Sequence, residues 1–402
     1  MKNFTGYNLC LYTDILFGRE TETRAGMMIR KHGGTRVLLV YGGGSVKKYG
    51  LYDRVLKSLD EAGISHIELG GVQPNPRRSL VEQGIKIAEK EKVDFLLALG
   101  GGSSIDTAKA IGLAMANNGE YWKFYTGALP LPEKMAPVGT IHTISASGSE
   151  TSRSTVIVDD LESGQKLSVN SDPCRPVFAI MNPELTYTVP PYQTGAGSAD
   201  ILAHTVSRYF FQGSPASFMG DEFCEGLMRT VVRYAPMAVA RPDDYEARAE
   251  LMMAASFSHS DLMGIGRSGP RGGEHALESQ ISGFYDTAHG AGLAAVMPPW
   301  LQYIANHGTP EQTARVAQFG TGVFGIKADM QDIKTTADLG LEAFRRWIKS
   351  IGQPLTFREL GIPRSDLPAM IRRCMVLNKG KVPGFMELDE AAVTEIFTSI
   401  AE

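Results

Sequence analysis

The order of hydrophobic and polar residues changes in character near the middle of the chain. In the first half, short apolar runs alternate with stretches of helical periodicity. Strands are predicted at residues 36–41, 66–69, 94–99 and 177–181, and the first and third of these runs are almost continuously apolar. Such runs are typical of strands buried on both faces of a parallel sheet. The alternation with helices indicates crossover connections and an α/β domain.

The other elements of the first half follow the same pattern. Helices are predicted at residues 20–32, in a segment that ends near residue 59, at 80–91 and at 105–116, and a β-hairpin is predicted at 154–158 and 166–169. From residue 192 onward the periodicity is almost entirely helical. Helices are predicted there at residues 194–209, 219–234, 245–263, 290–297, 300–304, 310–319, 337–350, 367–373 and 390–400. Pro298-Pro299 predicts a break between two of them, and Thr309 is a candidate N-cap.

Length and composition narrow the class of protein. A chain of 402 residues is long enough for two domains. We predict an α/β domain with a parallel, Rossmann-like sheet at residues 1–186 and an all-α domain at residues 187–402. The hydrophobic content of 43% and a net charge of −4 are those of a globular protein without a nucleic-acid surface. No apolar run suits a membrane helix or a signal region, and the four separated cysteines are typical of reduced thiols, so we expect a cytoplasmic protein.

One pair of residues in the second half offers metal-ligand chemistry. Asp200 and His204 lie four positions apart on a predicted helix, so both side chains point from the same face. A carboxylate and an imidazole are two suitable ligands for a divalent cation. By itself the pair is better explained by a core histidine beside a solvated carboxylate.

Two further histidines change that balance. His275 and His289 are fourteen residues apart, which on one straight helix would separate them by roughly 21 Å, at about 1.5 Å per residue. Ser282-Gly283 and the segment 285–287 indicate a break, with a second helix beginning near residue 286 or 287. A helix–turn–helix could bring the second histidine back to the first. The sequence therefore allows, without proving, a site of one carboxylate and three imidazoles.

Glycine-rich turns follow two of the predicted strands, at residues 42–45 and 100–103. Glycines between a buried strand and a helix let backbone N–H groups approach a phosphate. The turns lack the G-x-G-x-x-G spacing, and a tight strand–helix corner alone would also favour glycine. No carboxylate follows Tyr41 until Asp53, whereas Ser45, Lys47 and Lys48 suit a ribose 2′-phosphate. This favours NADP(H) over NAD(H), although two solvated lysines would give the same pattern.

Taken together, the motifs resemble the iron-containing (group III) alcohol dehydrogenase family, and its butanol dehydrogenase branch in particular. The matching segments are residues 41–48, 100–109, 147–150 and 176–191, the Asp200/His204 pair, and residues 285–294. The resemblance implies the dehydroquinate synthase-like fold of that family and interconversion of alcohols with aldehydes or ketones by NAD(P)(H). It also implies a homodimer, with a small aliphatic aldehyde or alcohol as substrate.

The resemblance assigns site residues as well. It implies that Fe²⁺ or Zn²⁺ is held by one Asp and three His, which correspond to Asp200, His204, His275 and His289. The implied cofactor contacts are Gly43, Gly44, Ser45, Gly101, Gly102, Ser103, Asp106, Thr143, Ser147 and Lys166. Lys166 and Ser279 are also counted as candidate catalytic residues.

Two positions depart from the family pattern. Members usually carry a histidine, often assigned to a proton relay, four residues after the third ligand, where this chain has Ser279. The loop usually written Pro-Ala-Thr-Gly-Ser-Glu is here residues 145–150, Ser-Ala-Ser-Gly-Ser-Glu. Two alternatives stay open, a dehydroquinate synthase-like lyase and a non-catalytic nucleotide- or metal-binding relative. The other histidines, His32, His66, His142, His259 and His307, match no ligand position and are expected to be structural.

Overall fold

The structure is a computed structural model that describes residues 9, 11–211, 217–267, 272–285, 287–329 and 331–402. The chain divides into two compact units: one ends at Thr188, and the other comprises Leu9 and the described residues from Val189 onward. The domain boundary predicted from the sequence lies between residues 186 and 187. Helices and strands are distributed as the sequence predicts, with an α/β unit first and a helical unit second.

The first unit is organised around its β-strands. Within the described residues, strands β1 to β8 span Asp14–Phe17, Arg36–Tyr41, Ser65–Leu69, Phe95–Gly100, Val138–His142, Ser154–Val158, Lys166–Asn170 and Phe178–Met181. Six of them form one parallel sheet in the order β1-β8-β5-β4-β2-β3. Strands β6 and β7 pair separately as the predicted antiparallel hairpin. The parallel sheet confirms the predicted fold class.

The order in which the chain adds strands to the sheet reverses between the neighbouring parallel strands β2 and β4. From β2 the chain continues to β3 on one side, and from β4 it continues to β5 on the other. The two strands are direct neighbours, with Tyr41 paired to Leu99. In open α/β sheets, such a reversal leaves a crevice at the carboxyl ends of the strands, where ligands bind. Both glycine-rich turns begin at those carboxyl ends.

Helices cover both faces of this sheet. Helices α1 to α6 span Ala25–Lys31, Ser45–Lys48, Leu51–Glu61, Arg78–Glu91, Gly102–Ala116 and Trp122–Tyr125. Apolar residues of α4 and α5 pack on one face, and those of α1 and α3 pack on the other. Strands β2 and β4 are buried on both sides, as their apolar runs predict.

Strand β5 was not predicted. Its residues, Val138 to His142, are completely buried, but Gly139, Thr140 and His142 interrupt the apolar run. Gly139 is required by packing, because a Cβ at that position would overlap the ring of Phe178 on the neighbouring strand. The pattern therefore reflects tertiary packing that a local periodicity cannot report.

The second unit is helical. Helices α7 to α15 span Pro191–Tyr209, Phe218–Ala240, Tyr245–Ser258, Glu274–Tyr285, His289–His307, Pro310–Phe324, Ile333–Ser350, Leu367–Leu377 and Glu390–Ser399. Several begin at a side-chain N-cap, and the Thr309 cap of α12 is confirmed as a capping box with Gln312. Within the described residues, no helix has both the length and the apolar character needed to cross a membrane.

The predicted break at Pro298-Pro299 is wrong. Helix α11 continues through both prolines, and all of residues 290–301 are buried. A proline inside a helix costs about 3 kcal/mol because it removes a hydrogen bond and crowds the preceding turn. Burial of this helix in the core of the unit offsets that cost, so tertiary packing overrides the local signal.

Candidate functional site

Asp200 and His204 lie one turn apart on α7 and are both buried. His204 Nε2 is 3.3 Å from Asp200 Oδ1. Burial lowers the pKa of His204 well below its usual value, and the positive charges of His259, His275 and Arg208 lower it further. His204 is therefore neutral at physiological pH, the state in which an imidazole can bind a metal.

The chain reverses direction after α10 and brings His275 and His289 close together. His275 is the second residue of α10 and His289 is the first residue of α11. Their ring centroids are 5.4 Å apart, whereas a straight helix would separate them by roughly 21 Å. The predicted helix–turn–helix is confirmed in the described residues, although residue 286, where the second helix was expected to begin, lies outside them.

Three of the four predicted ligands converge. One ligand atom each from Asp200, His275 and His289 lies within 4.8 Å of the other two. His289 Nε2 is 4.0 Å from Asp200 Oδ1, and His275 Nε2 is buried with no hydrogen-bond partner in the described residues. Two imidazole nitrogens and a carboxylate oxygen fit a divalent cation of the Fe²⁺ or Zn²⁺ type. His204 lies outside this group of three but touches it, with its ring 5.1 Å from that of His275.

A fourth histidine belongs to the same neighbourhood. His259, expected from the sequence to be structural, stacks on His204 with ring centroids 4.2 Å apart. It is the residue immediately after α9. Nothing in its local sequence indicates this position, because the contact joins two helices that are remote along the chain.

Two glutamates beside the histidines were also not predicted. Glu274 and Glu278 lie one turn apart on α10 and are completely buried. Glu274 Oε1 accepts a hydrogen bond from His275 Nδ1 at 2.8 Å, and Glu278 Oε2 lies 2.5 Å from His289 Nδ1. Burial opposes protonation of His275, but the hydrogen bond and charge of Glu274 outweigh it and raise the pKa of His275.

Ser279 is engaged within its own helix. Its hydroxyl donates to the carbonyl of Ala276 at 2.9 Å and accepts from Gln280 Nε2 at 3.0 Å. To pass a proton elsewhere, the hydroxyl would have to leave the bond to Ala276.

The glycine turns follow β2 and β4, the two strands of the first unit between which the strand order reverses. Gly43 and Gly44 are exposed, and open space lies where their side chains would be. A Cβ on Gly101 would overlap Ile144, and a Cβ on Gly102 would overlap the Ser147 hydroxyl. The polar loop at residues 143–150 therefore packs directly on the turn at 100–103. The turn at 42–45 offers an open backbone surface of the kind that accepts phosphates, whereas the turn at 100–103 is partly covered by this loop.

The buried charged side chains of Lys109 and Asp106 bind the loop at residues 143–150 and the residues that follow it. The Lys109 amine is completely buried and donates to the carbonyls of Ser149, Ser152 and Ser154 at 2.7, 3.0 and 2.8 Å. Asp106, an implied cofactor contact, accepts from the Ser149 hydroxyl at 2.5 Å. Burial raises the pKa of Asp106, and the charge of Lys109 opposes that rise.

Three further predicted cofactor contacts are Thr143, Ser103 and Lys166. Thr143 bonds the turn through its N–H to the Gly100 carbonyl at 3.2 Å, and Ser103 lies in the first turn of α5. Lys166 is exposed at the start of β7 and donates to the Asn75 side chain at 3.0 Å.

The positive charge expected near Ser45 is partly neutralised, because Lys47 is paired with a carboxylate. Ser45 opens α2 and is exposed. Lys47 Nζ is 3.0 Å from the Glu68 carboxylate, which also accepts hydrogen bonds from the Tyr41 and Tyr52 hydroxyls. These bonds lower the pKa of Glu68 to about 2, so its negative charge is present at neutral pH. Lys47 is thus paired rather than simply solvated.

Comparison with known proteins gives matches along almost the whole chain. Residues 13–183 match the family described as iron-containing alcohol dehydrogenase, and residues 194–401 match the C-terminal part of the same family. The chain is 36% identical over 391 residues to NADH-dependent butanol dehydrogenase A of Clostridium acetobutylicum, covering 97% of this chain and 98% of that protein. It is 33% identical over 377 residues to the NADPH-dependent aldehyde reductase YqhD of Escherichia coli, covering 93% of each. The crystal structure of NADH-dependent butanol dehydrogenase A from Thermotoga maritima superposes with a TM-score of 0.92 and 34% identity over 100% of both chains.

Proposed function

The chain belongs to the iron-containing alcohol dehydrogenase family, and from this premise we propose that it reduces small aliphatic aldehydes at a metal held by Asp200, His204, His275 and His289. At the level of class, it is an NAD(P)H-dependent alcohol dehydrogenase or aldehyde reductase. The observation that carries the proposed site is the convergence of Asp200, His275 and His289 from three helices.

The donor set suits this reaction. When bound, a divalent cation supplies Lewis acidity toward a carbonyl oxygen, and a reduced nicotinamide supplies the hydride. His204 is kept neutral by burial, so its nitrogen can serve as a ligand. Glu274 and Glu278 contact Nδ1 of His275 and His289, which leaves the Nε2 atoms of both rings toward Asp200. Membership of the family implies Fe²⁺ as the metal, and we keep Zn²⁺ as the alternative that the same donors accept.

The proposed cofactor contacts all lie in the first unit. They are Gly43, Gly44, Ser45, Gly101, Gly102, Ser103, Asp106, Thr143, Ser147 and Lys166. Backbone N–H groups of the two glycine turns would hold the diphosphate, and Asp106 and Lys109 keep the loop at residues 143–150 against the second turn. We propose a preference for NADPH, which the exposed Ser45 and Lys48 support. The pairing of Lys47 with Glu68 reduces the positive charge on which that preference depends.

Proton delivery is proposed to use Ser279 together with water. A serine hydroxyl is both donor and acceptor, but this one donates to the Ala276 carbonyl. It could therefore act only by exchanging that bond for one to a water molecule. A homodimer and a cytoplasmic location remain predictions from the sequence.

The decisive experiment is NADPH oxidation with butyraldehyde by protein stripped of metal and reloaded with Fe²⁺ or Zn²⁺. Steady turnover is expected with metal, with much less after stripping. Asp200→Asn is the matched variant, because it keeps the size of the side chain and removes its charge. Undiminished turnover and metal content in Asp200→Asn would refute the proposed site, and the absence of turnover with any aldehyde in a panel would refute the proposed substrate class.

A further inference from the structure

Glu274 and Glu278 are the most deeply buried acidic groups beside the proposed ligands. Both lie on one face of α10 and have no exposed surface. Neither carboxylate forms an ion pair with a lysine or arginine within the part of the chain that the structure describes; the ionisable groups closest to them are the imidazoles of His275 and His289. Burial of a carboxylate without a cationic partner is unfavourable. A cation bound nearby would offset that cost.

Their contacts are directed at the histidine atoms that face away from the ligand group. Glu274 Oε1 receives His275 Nδ1–H at 2.8 Å and also the Ser207 hydroxyl. Glu278 Oε2 lies 2.5 Å from His289 Nδ1 and 3.3 Å from the Ser282 hydroxyl. A proton on each Nδ1 leaves the Nε2 lone pair available, and this is the tautomer that an Nε2 metal ligand requires.

The backbone leaves room for both carboxylates. A Cβ on Gly292 of α11 would lie 2.7 Å from Glu278 Oε1. A Cβ on Gly272 would overlap the Glu274 carboxylate, and Gly272 has a positive φ of 57°. Any residue larger than glycine at position 272 or 292 would therefore place its side chain in the space that these carboxylates occupy.

We propose that Glu274 and Glu278 are positioning residues of the metal centre. Each carboxylate fixes the orientation and tautomer of one ligating histidine, and its charge strengthens that imidazole as a donor. With Asp200, they place three carboxylates around the centre, which favours retention of a divalent cation. This inference rests on the proposed metal site, and it assigns two residues beyond the four ligands.

The test compares the affinity for Co²⁺ in Glu274→Gln and Glu278→Gln with that of the wild type. Competition with a chromophoric chelator gives the affinity, and the visible Co²⁺ spectrum reports the ligand geometry. Loss of a carboxylate that orients a ligand should weaken Co²⁺ binding by about 10–100-fold and shift the spectrum. Glu225→Gln is the matched control, because Glu225 is buried in the same unit, where it accepts hydrogen bonds from Tyr209 and Gln318. Its affinity for Co²⁺ should be unchanged.

A purely structural role gives a different result. It would lower the melting temperature of the metal-free protein, whereas a positioning role leaves the metal-free protein as stable as the wild type or more stable. Only the stabilisation added by Co²⁺ should fall, by about 1.4 kcal/mol for each tenfold loss of affinity. Wild-type Co²⁺ affinity in both glutamine variants would overturn the inference, as would an equal loss in Glu225→Gln. Asp200→Asn separates the two levels: if it also retains Co²⁺, the proposed metal site itself is wrong.

Discussion

Replacement of Lys109 by methionine should destabilise the first unit and weaken cofactor binding together. Methionine nearly matches lysine in length and is apolar, so the change removes the amine and leaves only a small cavity. The amine donates to three backbone carbonyls and to the Ser149 hydroxyl, and it is completely buried. Its loss leaves those carbonyls and the nearby Asp106 carboxylate without its positive charge.

The magnitude follows from these contacts. Hydrogen bonds to a charged group contribute about 1.5–3 kcal/mol each. Burial of the ammonium opposes them and lowers the pKa of Lys109 from 10.5 to about 8. Removing one partner from a buried charged cluster costs about 3–5 kcal/mol, and we expect a decrease of this size in the free energy of unfolding. Lys57→Met makes the same substitution at an exposed lysine of the same unit and should change it little.

Urea unfolding measures the global effect, and hydrogen exchange of the amides at residues 149–156 measures the local one. Because Ile144 and Ser147 pack against Gly101 and Gly102, loosening this loop should also lower the affinity for NADPH in a fluorescence titration. A loss of less than about 1 kcal/mol, well below the cost of breaking a buried charged pair, together with unchanged exchange at 149–156, would refute this account of the amine.

Three further predictions concern the site and the cofactor. His275→Ala should lose bound metal and activity while the first unit stays folded. Loss of a residue that only orients a ligand weakens metal binding by about 10–100-fold, and loss of a ligand itself should weaken it more. Full metal occupancy by elemental analysis would contradict this prediction. NADPH should exceed NADH in kcat/KM, and Gly43→Asp should shift the ratio toward NADH by placing a carboxylate near the ribose; a wild-type ratio that favours NADH would show that the interpretation of the turn at 42–45 is wrong. Ser279→His should add a limb near pH 6.5, the ordinary histidine pKa, to the dependence of kcat on pH, if deuterated NADPH shows that hydride transfer limits the rate. The same limb in the wild type would mean that another residue delivers the proton.

The sequence determined the features that depend on neighbours along the chain. Periodicity predicted the parallel α/β unit and the helical unit, because burial on one or both faces repeats with the geometry of the element. The Asp200/His204 pair needed only the pitch of a helix, and the glycine turns needed only their place after apolar strands. The Thr309 cap was also a local signal, confirmed by its bonds to Gln312.

Tertiary structure decided what depends on residues that are remote in the chain. The contact of Glu278 with His289 and the stacking of His259 on His204 arise because the packing of different helices brings these residues together. The partner of Lys47 lies 21 residues away on the next strand. Helix α11 continues through two prolines because burial of the whole segment outweighs the local cost. Local patterns specify which backbone conformation a segment favours, but only the packing of distant segments fixes which side chains meet and what burial does to their charges.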